Sequence, residues 1–355
     1  MQYLNPAGTY PKEQKGKTMQ EARFYEKLDN EKVRCHLCAH ECVIGPGKRG
    51  ICMVRENQQG ILYSLVYGKL ISHQIDPIEK KPLFHFLPGS RAYSIATVGC
   101  NFQCLHCQNY EISQYPRLYD KKIIGEDTTP EELVAKVRVS RSASIAYTYT
   151  EPTIFSEFAY DTAVLARQEG IRNVFVSNGF MTEASAKAMA KVLDADNIDL
   201  KGFSDDFYRN ICKAKLQPVL DTIVRMKELG VWIEITTLVI PGLNDSENEL
   251  KAIAKFIKSI GPDIPWHVSA FYPTYKLLDR PRTPASTLQH AREIGLEVGL
   301  RYVYTGNIPG DEGENTYCYA CGELLIERAG FTVRANHLRE GTCPKCAARI
   351  DGIWK

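Results

Sequence analysis

Eleven of the chain's 12 cysteines fall into three groups: Cys35, Cys38, Cys42 and Cys52; Cys100, Cys104 and Cys107; Cys318, Cys321, Cys343 and Cys346. Four, three and four are ligand numbers that metals and clusters use. The central group, Gly99-Cys100-Asn101-Phe102-Gln103-Cys104-Leu105-His106-Cys107-Gln108-Asn109, places C-x3-C-x2-C where it can wrap three corners of an iron–sulfur cubane. Three ligands leave one iron without a protein side chain, and an open coordination position is where metals do chemistry. A structural zinc would want a fourth ligand there, which His106, between the cysteines, supplies only awkwardly. Cys212, in RNICKAKL, stands apart and reads as a small semi-buried side chain.

The C-terminal group consists of two C-x2-C knuckles, Cys318 to Cys321 and Cys343 to Cys346, which set four thiolates tetrahedrally. That pattern reads as a structural zinc ribbon, with rubredoxin-type iron as the alternative, because thiolate geometry does not select the metal. Closing about forty residues that could not build a core alone is its plainest role. The N-terminal group, Cys35-x2-Cys38-x3-Cys42-x9-Cys52, holds either zinc, the favoured reading, or an auxiliary iron–sulfur cluster relaying electrons. His36 and His40 are candidate substitute ligands. Gly45 to Gly50 matches G-x-G-x-x-G but follows no predicted strand, so it reads as a turn and not a phosphate loop.

The elements that must position these residues alternate, as in a parallel α/β fold. Strands are predicted at 93–98, 144–149, 173–176, 198–200, 231–239, 266–271 and 301–304, each rich in β-branched or aromatic residues. Helices are predicted to begin at Thr129-Pro130-Glu131-Glu132, with Thr129 as N-cap, and to run through 182–193, 218–229, 246–260 and 287–297. Six or seven such units suit a closed or partly closed barrel, whose chemistry gathers at the C-terminal strand ends. The cysteine loop follows the first strand. Glu151-Pro152, Ser177-Asn178-Gly179, Asp199-Leu200-Lys201, the Val239–Asp245 loop and His267 follow or occupy later ones.

The central loop resembles the radical SAM superfamily, whose motif is C-x3-C-x-aromatic-C, with His106 here in the aromatic position. The resemblance implies an α/β fold with a partial (β/α)6 TIM-like barrel. It also implies a [4Fe–4S] cluster whose open iron chelates S-adenosylmethionine (SAM), and one-electron cleavage of SAM to methionine and a hydrogen-abstracting 5′-deoxyadenosyl radical. The family's Gly-Gly-Glu-type contact to the SAM amino group is matched by Glu151 and the following Pro152, with Tyr149 and Thr150 in place of the glycines. Val176-Ser177-Asn178-Gly179 and Asp199-Leu200-Lys201 are similar to turns of glycyl-radical-enzyme activases. Ser177, Asn178, Asp199 and Lys201 thereby acquire places near SAM and a bound cation, although Val176 replaces an Asp of that turn. His267 resembles a histidine packed near the adenine.

CHLCAHEC at 35–42, IDPIEKKPLFHFLPG at 75–89, TEPTIF at 150–155 and the terminal ribbon extend the likeness to the radical SAM member of the AmmeMemoRadiSam group. Proteins of that group are similar to pyruvate formate-lyase-activating enzymes. The resemblance implies a protein or peptide substrate, an electron donor such as flavodoxin or ferredoxin, association with Memo-like and AMMECR-like proteins, and oxygen sensitivity. A small molecule or RNA as substrate, or a non-catalytic metal-binding scaffold, are the alternatives.

A chain of 355 residues, 44% hydrophobic and 24% charged, suits a barrel with appendages. The expected division is 1–90 with the first metal module, 91–306 as the barrel and 307–355 as the ribbon. A net charge of +2 exerts no general pull on nucleic acid or anionic membranes. The polar N-terminus has no signal-peptide core and the most apolar stretch, Val231–Leu243, is too short to span a bilayer. A cytoplasmic enzyme is expected, in a compartment that disfavours disulfides.

Overall fold

The computed structural model describes residues 19–308 and 310–355; the extreme N-terminus, read above as polar, lies outside them. Its centre is one eight-stranded sheet. We number its strands β1 (Ser72–Pro77), β2 (Arg91–Ala96), β3 (Ser144–Tyr147), β4 (Arg172–Ser177), β5 (Ala195–Asp199), β6 (Trp232–Val239), β7 (Trp266–Ala270) and β8 (Val303–Gly306). Strands β2 to β8 are parallel and lie in sequence order, and β1 pairs antiparallel with β2. Because β1 and β8 form the two sheet edges, the barrel is partial.

Six helices cross over between consecutive parallel strands: α1 (Pro130–Ser140), α2 (Ser156–Gln168), α3 (Glu183–Ala190), α4 (Gln217–Glu228), α5 (Glu247–Ile260) and α6 (Ala285–Val298). With β2 to β7 they make six β/α units, and β8 follows as a seventh parallel strand. Helix α1 begins with Thr129 as N-cap, and Thr129 and Glu132 form a reciprocal capping box. The side chains of Thr182 and Ser246 cap α3 and α5 by accepting from the N–H groups of Ser185 and Glu249.

Within the central sheet and its crossovers, two elements were not expected from the sequence. Helix α2 starts after Phe155 without a side-chain cap, and its buried face includes Phe158, Ala159 and Ala163. Strand β1 has mostly exposed side chains without regular alternation, so its identity comes from pairing with β2. The sheet therefore starts before residue 91, inside the segment read as a separate N-terminal module. Similarly, the chain's end returns to the barrel: Leu87 N–H donates to the Ile353 carbonyl (2.7 Å) and Ile353 N–H to the His85 carbonyl (2.8 Å).

The lower end of the barrel is closed by this 78–90 segment. Glu234 on β6 accepts from the backbone N–H groups of Phe84 (3.0 Å) and His85 (2.8 Å). His267 Nε2 lies 2.7 Å from the same carboxylate, and both side chains are buried. Burial alone would raise Glu234, but His267 and the other polar neighbours hold its carboxyl below its ordinary value. The N-terminal cysteine module packs on the barrel flank, where Cys38 bridges to Met181. The buried Arg55 and Glu157 pair at 2.9 Å between module and barrel. The C-terminal module contains the antiparallel strands Thr316–Tyr317, Leu324–Ala329 and Thr332–Asn336.

Candidate active site

A cavity of about 430 Å³ opens at the C-terminal ends of β2 to β7, lined among others by Cys100, Cys104, Cys107, Glu151, Asn178 and Lys201. His106, Ser177 and Asp199 also line it. His267 does not. It points into the barrel two residues earlier on β7 than the cavity-lining Ser269, one layer deeper, where Glu234 engages it. Strand alternation sends positions 267 and 269 to the same face, at different depths.

The cysteine loop is held by its backbone. Gln103 and Leu105 N–H groups donate to the carbonyls of Cys212 (3.1 Å) and Ile211 (3.0 Å). Gln114 Nε2 donates to the Phe102 carbonyl (3.1 Å), and Arg117 Nη2 to that of Cys100 (3.2 Å). Gly99 enters the loop at φ +98°, and a Cβ there would lie 2.5 Å from Val54 Cγ1 and 2.9 Å from the Cys52 carbonyl oxygen. Only glycine satisfies both the dihedral and the approach.

Burial pushes the thiols of Cys100 and Cys107 up, Cys107 to about 11. Cys104 is held well up by a hydrogen bond with the Cys212 thiol and then by burial. Protonated, buried thiols make poor nucleophiles. A bound metal cluster is what would displace their protons, so the donor set fits an iron–sulfur group better than thiol catalysis. Cys212 is thus no isolated side chain: it is fully buried and its sulfur contacts a candidate ligand. Nothing in its local sequence signalled this, since the contact joins positions over a hundred residues apart.

The polar side of the cavity is built around Glu151. Its carboxylate accepts from Thr153 N–H (3.0 Å), Thr153 Oγ1 (2.5 Å) and Asn178 N–H (2.8 Å). Burial outweighs these bonds and raises its carboxyl to about 7. Asn178 Nδ2 donates to Asn101 Oδ1 (2.7 Å), tying the cysteine loop to the end of β4. Asn101 Nδ2 and His106 Nδ1 are buried and without a hydrogen-bond partner among the described residues. Burial depresses His106 to about 3, so its imidazole is neutral. These groups leave donor or acceptor capacity for a polar ligand.

On the far wall Lys201 Nζ pairs with Asp199 Oδ2 at 2.7 Å. Asn244, from the Val239–Asp245 loop, donates to the Lys201 carbonyl (2.7 Å) and the Leu238 carbonyl (2.9 Å), which fixes that wall. Ser177 Oγ lies 3.1 Å from both oxygens of Asp196, whose carboxyl burial pushes well up. Asp196 therefore places a carboxyl group beside Ser177 from the neighbouring strand, where Val176 supplies none. Tyr149, at φ +62°, hydrogen-bonds Asp76. Lys81 is buried against both, 2.7 Å from Asp76 and 4.3 Å from the Tyr149 ring centroid. Lys80 and Lys81 reach the cavity wall.

The cavity's mouth meets a groove of about 870 Å³ containing Tyr272, Arg328, Phe331 and Arg334. Gln108, Asn307 and Phe331 line both spaces, so the C-terminal hairpin borders the entrance.

The four C-terminal sulfurs lie within 4.8 Å of one another. Cys318–Cys346 and Cys321–Cys343 are 3.6 and 3.7 Å apart. A metal–sulfur bond of about 2.3 Å in a tetrahedron requires sulfurs about 3.8 Å apart, so this set fits one ion. Of the candidate substitute ligands in the N-terminal group, His40 is taken by the Asn101 carbonyl (2.8 Å) and His36 by Glu41 (3.2 Å). Among the described residues no helix is long and apolar enough to cross a membrane.

The profile of the Radical SAM superfamily matches residues 94–257. An uncharacterised protein of Methanocaldococcus jannaschii is 50% identical over 336 residues, 94% of this chain and 99% of that protein. The pyruvate formate-lyase-activating enzyme of Clostridium pasteurianum is 24% identical over 163 residues, 46% of this chain and 67% of the enzyme. A radical SAM methyltransferase from Sphaerobacter thermophilus aligns with a TM-score of 0.49 at 16% identity, over 67% of this chain and 71% of that one.

Proposed function

The chain belongs to the radical SAM superfamily, and on that premise we propose that it is an activase-like enzyme that abstracts hydrogen from a protein or peptide partner. The carrying observation is the convergence of three loop cysteines, the Glu151 carboxylate and the unpartnered His106 nitrogen on one cavity. Cys100, Cys104 and Cys107 would hold a [4Fe–4S] cluster, and Glu151 would face the ammonium of SAM. When bound, the pair supplies one-electron reductive cleavage and a carbon-centred radical. The chain's part is to orient and to exclude water. The Asn178–Asn101 bond keeps the cluster loop in register with the SAM wall. The Lys201–Asp199 pair holds a charge-balanced wall opposite Glu151, a surface suited to the polar groups of SAM.

The protein-substrate reading draws support from the activating enzymes among the relatives and from the groove at the mouth, which has room for an extended segment. It implies a flavodoxin- or ferredoxin-class electron donor, oxygen sensitivity and a reducing cytoplasm. The C-terminal cysteines would hold zinc, with iron as the alternative.

Anaerobically reconstituted protein given SAM and dithionite should release 5′-deoxyadenosine, and Cys104→Ala should abolish release. Unchanged release by Cys104→Ala would sink the assignment. Deuterium passing into 5′-deoxyadenosine from a labelled small molecule or RNA, but from no protein, would redirect the substrate class.

A further inference from the structure

We propose that Cys35, Cys38, Cys42 and Cys52 hold a second iron–sulfur cluster, which relays electrons to the cluster site at Cys100, Cys104 and Cys107; the relay role rests on the reading of that central site. The sequence alone favoured zinc. Sulfur spacing argues otherwise. One ion needs sulfurs about 3.8 Å apart, and the C-terminal four meet that demand. Among the described residues they are the one group of three or more His, Cys, Asp or Glu ligand atoms within 4.8 Å of one another. No three N-terminal sulfurs gather so tightly, yet the segment closes on itself where Cys35 N–H donates to the Cys42 carbonyl (2.9 Å). Cys35, Cys38 and Cys52 are buried, and Cys38 feels the charges of the other three. A set of four that converges but stands wider than one ion suits a polynuclear core.

A second observation points the same way. Arg55 is 2% exposed, pairs with Glu157 through Nη2 alone, and leaves Nε and Nη1 without partners among the described residues. Its charge lies within electrostatic reach of Cys35, Cys38 and Cys52. Unsatisfied guanidinium donors are costly in an interior. An anionic cluster, whose sulfurs accept hydrogen bonds that tune its potential, would satisfy them.

The two sites adjoin. The Cys52 carbonyl oxygen would lie 2.9 Å from a Cβ on Gly99, the residue before Cys100, and Arg117 Nη2 bonds the carbonyls of both Ile51 and Cys100. Cys42 is the partly exposed member and marks the side of electron entry. One electron from a reduced flavodoxin- or ferredoxin-class donor would reduce the N-terminal cluster. The same electron then passes to the central cluster, which returns the relay to its oxidised state.

The test uses the full chain, reconstituted anaerobically with iron and sulfide. With Cys100, Cys104 and Cys107 all changed to Ala, about four irons and four labile sulfides should remain per chain, with a cubane Mössbauer spectrum. Zinc without sulfide in that variant would overturn the assignment. This readout does not involve SAM. A wild-type protein releasing no 5′-deoxyadenosine would defeat the central-site reading while a retained cluster upheld this one. For the relay, Cys42→Ser should keep dithionite-driven SAM cleavage and lose roughly tenfold or more of flavodoxin-driven cleavage. Undiminished cleavage with both reductants, in a variant with unchanged circular dichroism, would refute the relay.

Discussion

Glu151 carries the sharpest pH dependence in the cavity. Its carboxyl is buried and raised from an ordinary 4.5 to about 7. The folded protein therefore holds a proton that the unfolded chain gives up, so this group costs stability as pH rises from about 4.5 to about 7. A bound ammonium reverses the preference by favouring the carboxylate. SAM affinity should thus weaken as pH falls through about 7, and Glu151→Gln should bind more weakly with a flatter profile. Titration of SAM by its effect on the cluster's EPR spectrum would check both. A profile unchanged by the substitution would remove Glu151 from the binding wall. The residue itself was legible because Glu-Pro follows a predicted strand. Its partner Asn178 was legible as a motif, whereas the contact with Asn101 required two loops to meet. His267 marks the opposite case, a motif residue that strand depth assigns to Glu234.

At the scale of elements, the cluster loop depends on the flank it leans on. Gly99 has φ +98° and faces Val54 and the Cys52 carbonyl at distances no Cβ tolerates. Gly99→Ala should push the N-terminal module away from the start of the loop. The cost should exceed about 1 kcal/mol, as Gly→Ala does where φ is positive. Thermal unfolding should occur at a lower temperature, and iron content after reconstitution should fall at both cysteine sites. An unaltered melting temperature would contradict the close approach. The parallel strands and five of six crossover helices were readable from periodicity and caps. Helix α2 had no side-chain cap to mark its start, and β1 had too little alternation to register before β2 paired with it.

For the whole molecule, the C-terminal module appears both as a fastener and as a wall. Its last residues pair beneath the barrel while its hairpin presents Phe331 at the mouth. Stripping its ion with a chelator, or replacing Cys343 with Ser, should release about one metal per chain and unfold the module. Because the tail at Ile353 is tied to the 85–87 segment, barrel stability should fall as well. Metal analysis with thermal melting would test this. A barrel that melts unchanged after the ion is removed would separate the two.

The sequence by itself determined the class of chemistry: an open three-cysteine loop after a strand, a Glu at the next strand end, and two further cysteine groups. Short-range spacing encodes such motifs, because a ligand set or a cap is complete within a few residues. Tertiary structure decided what lies between distant positions. It set Cys212 against Cys104, Arg55 against the N-terminal cysteines, Asp196 under Ser177, and His267 below the cavity. Burial and sulfur spacing are properties of packing. No linear pattern carries them.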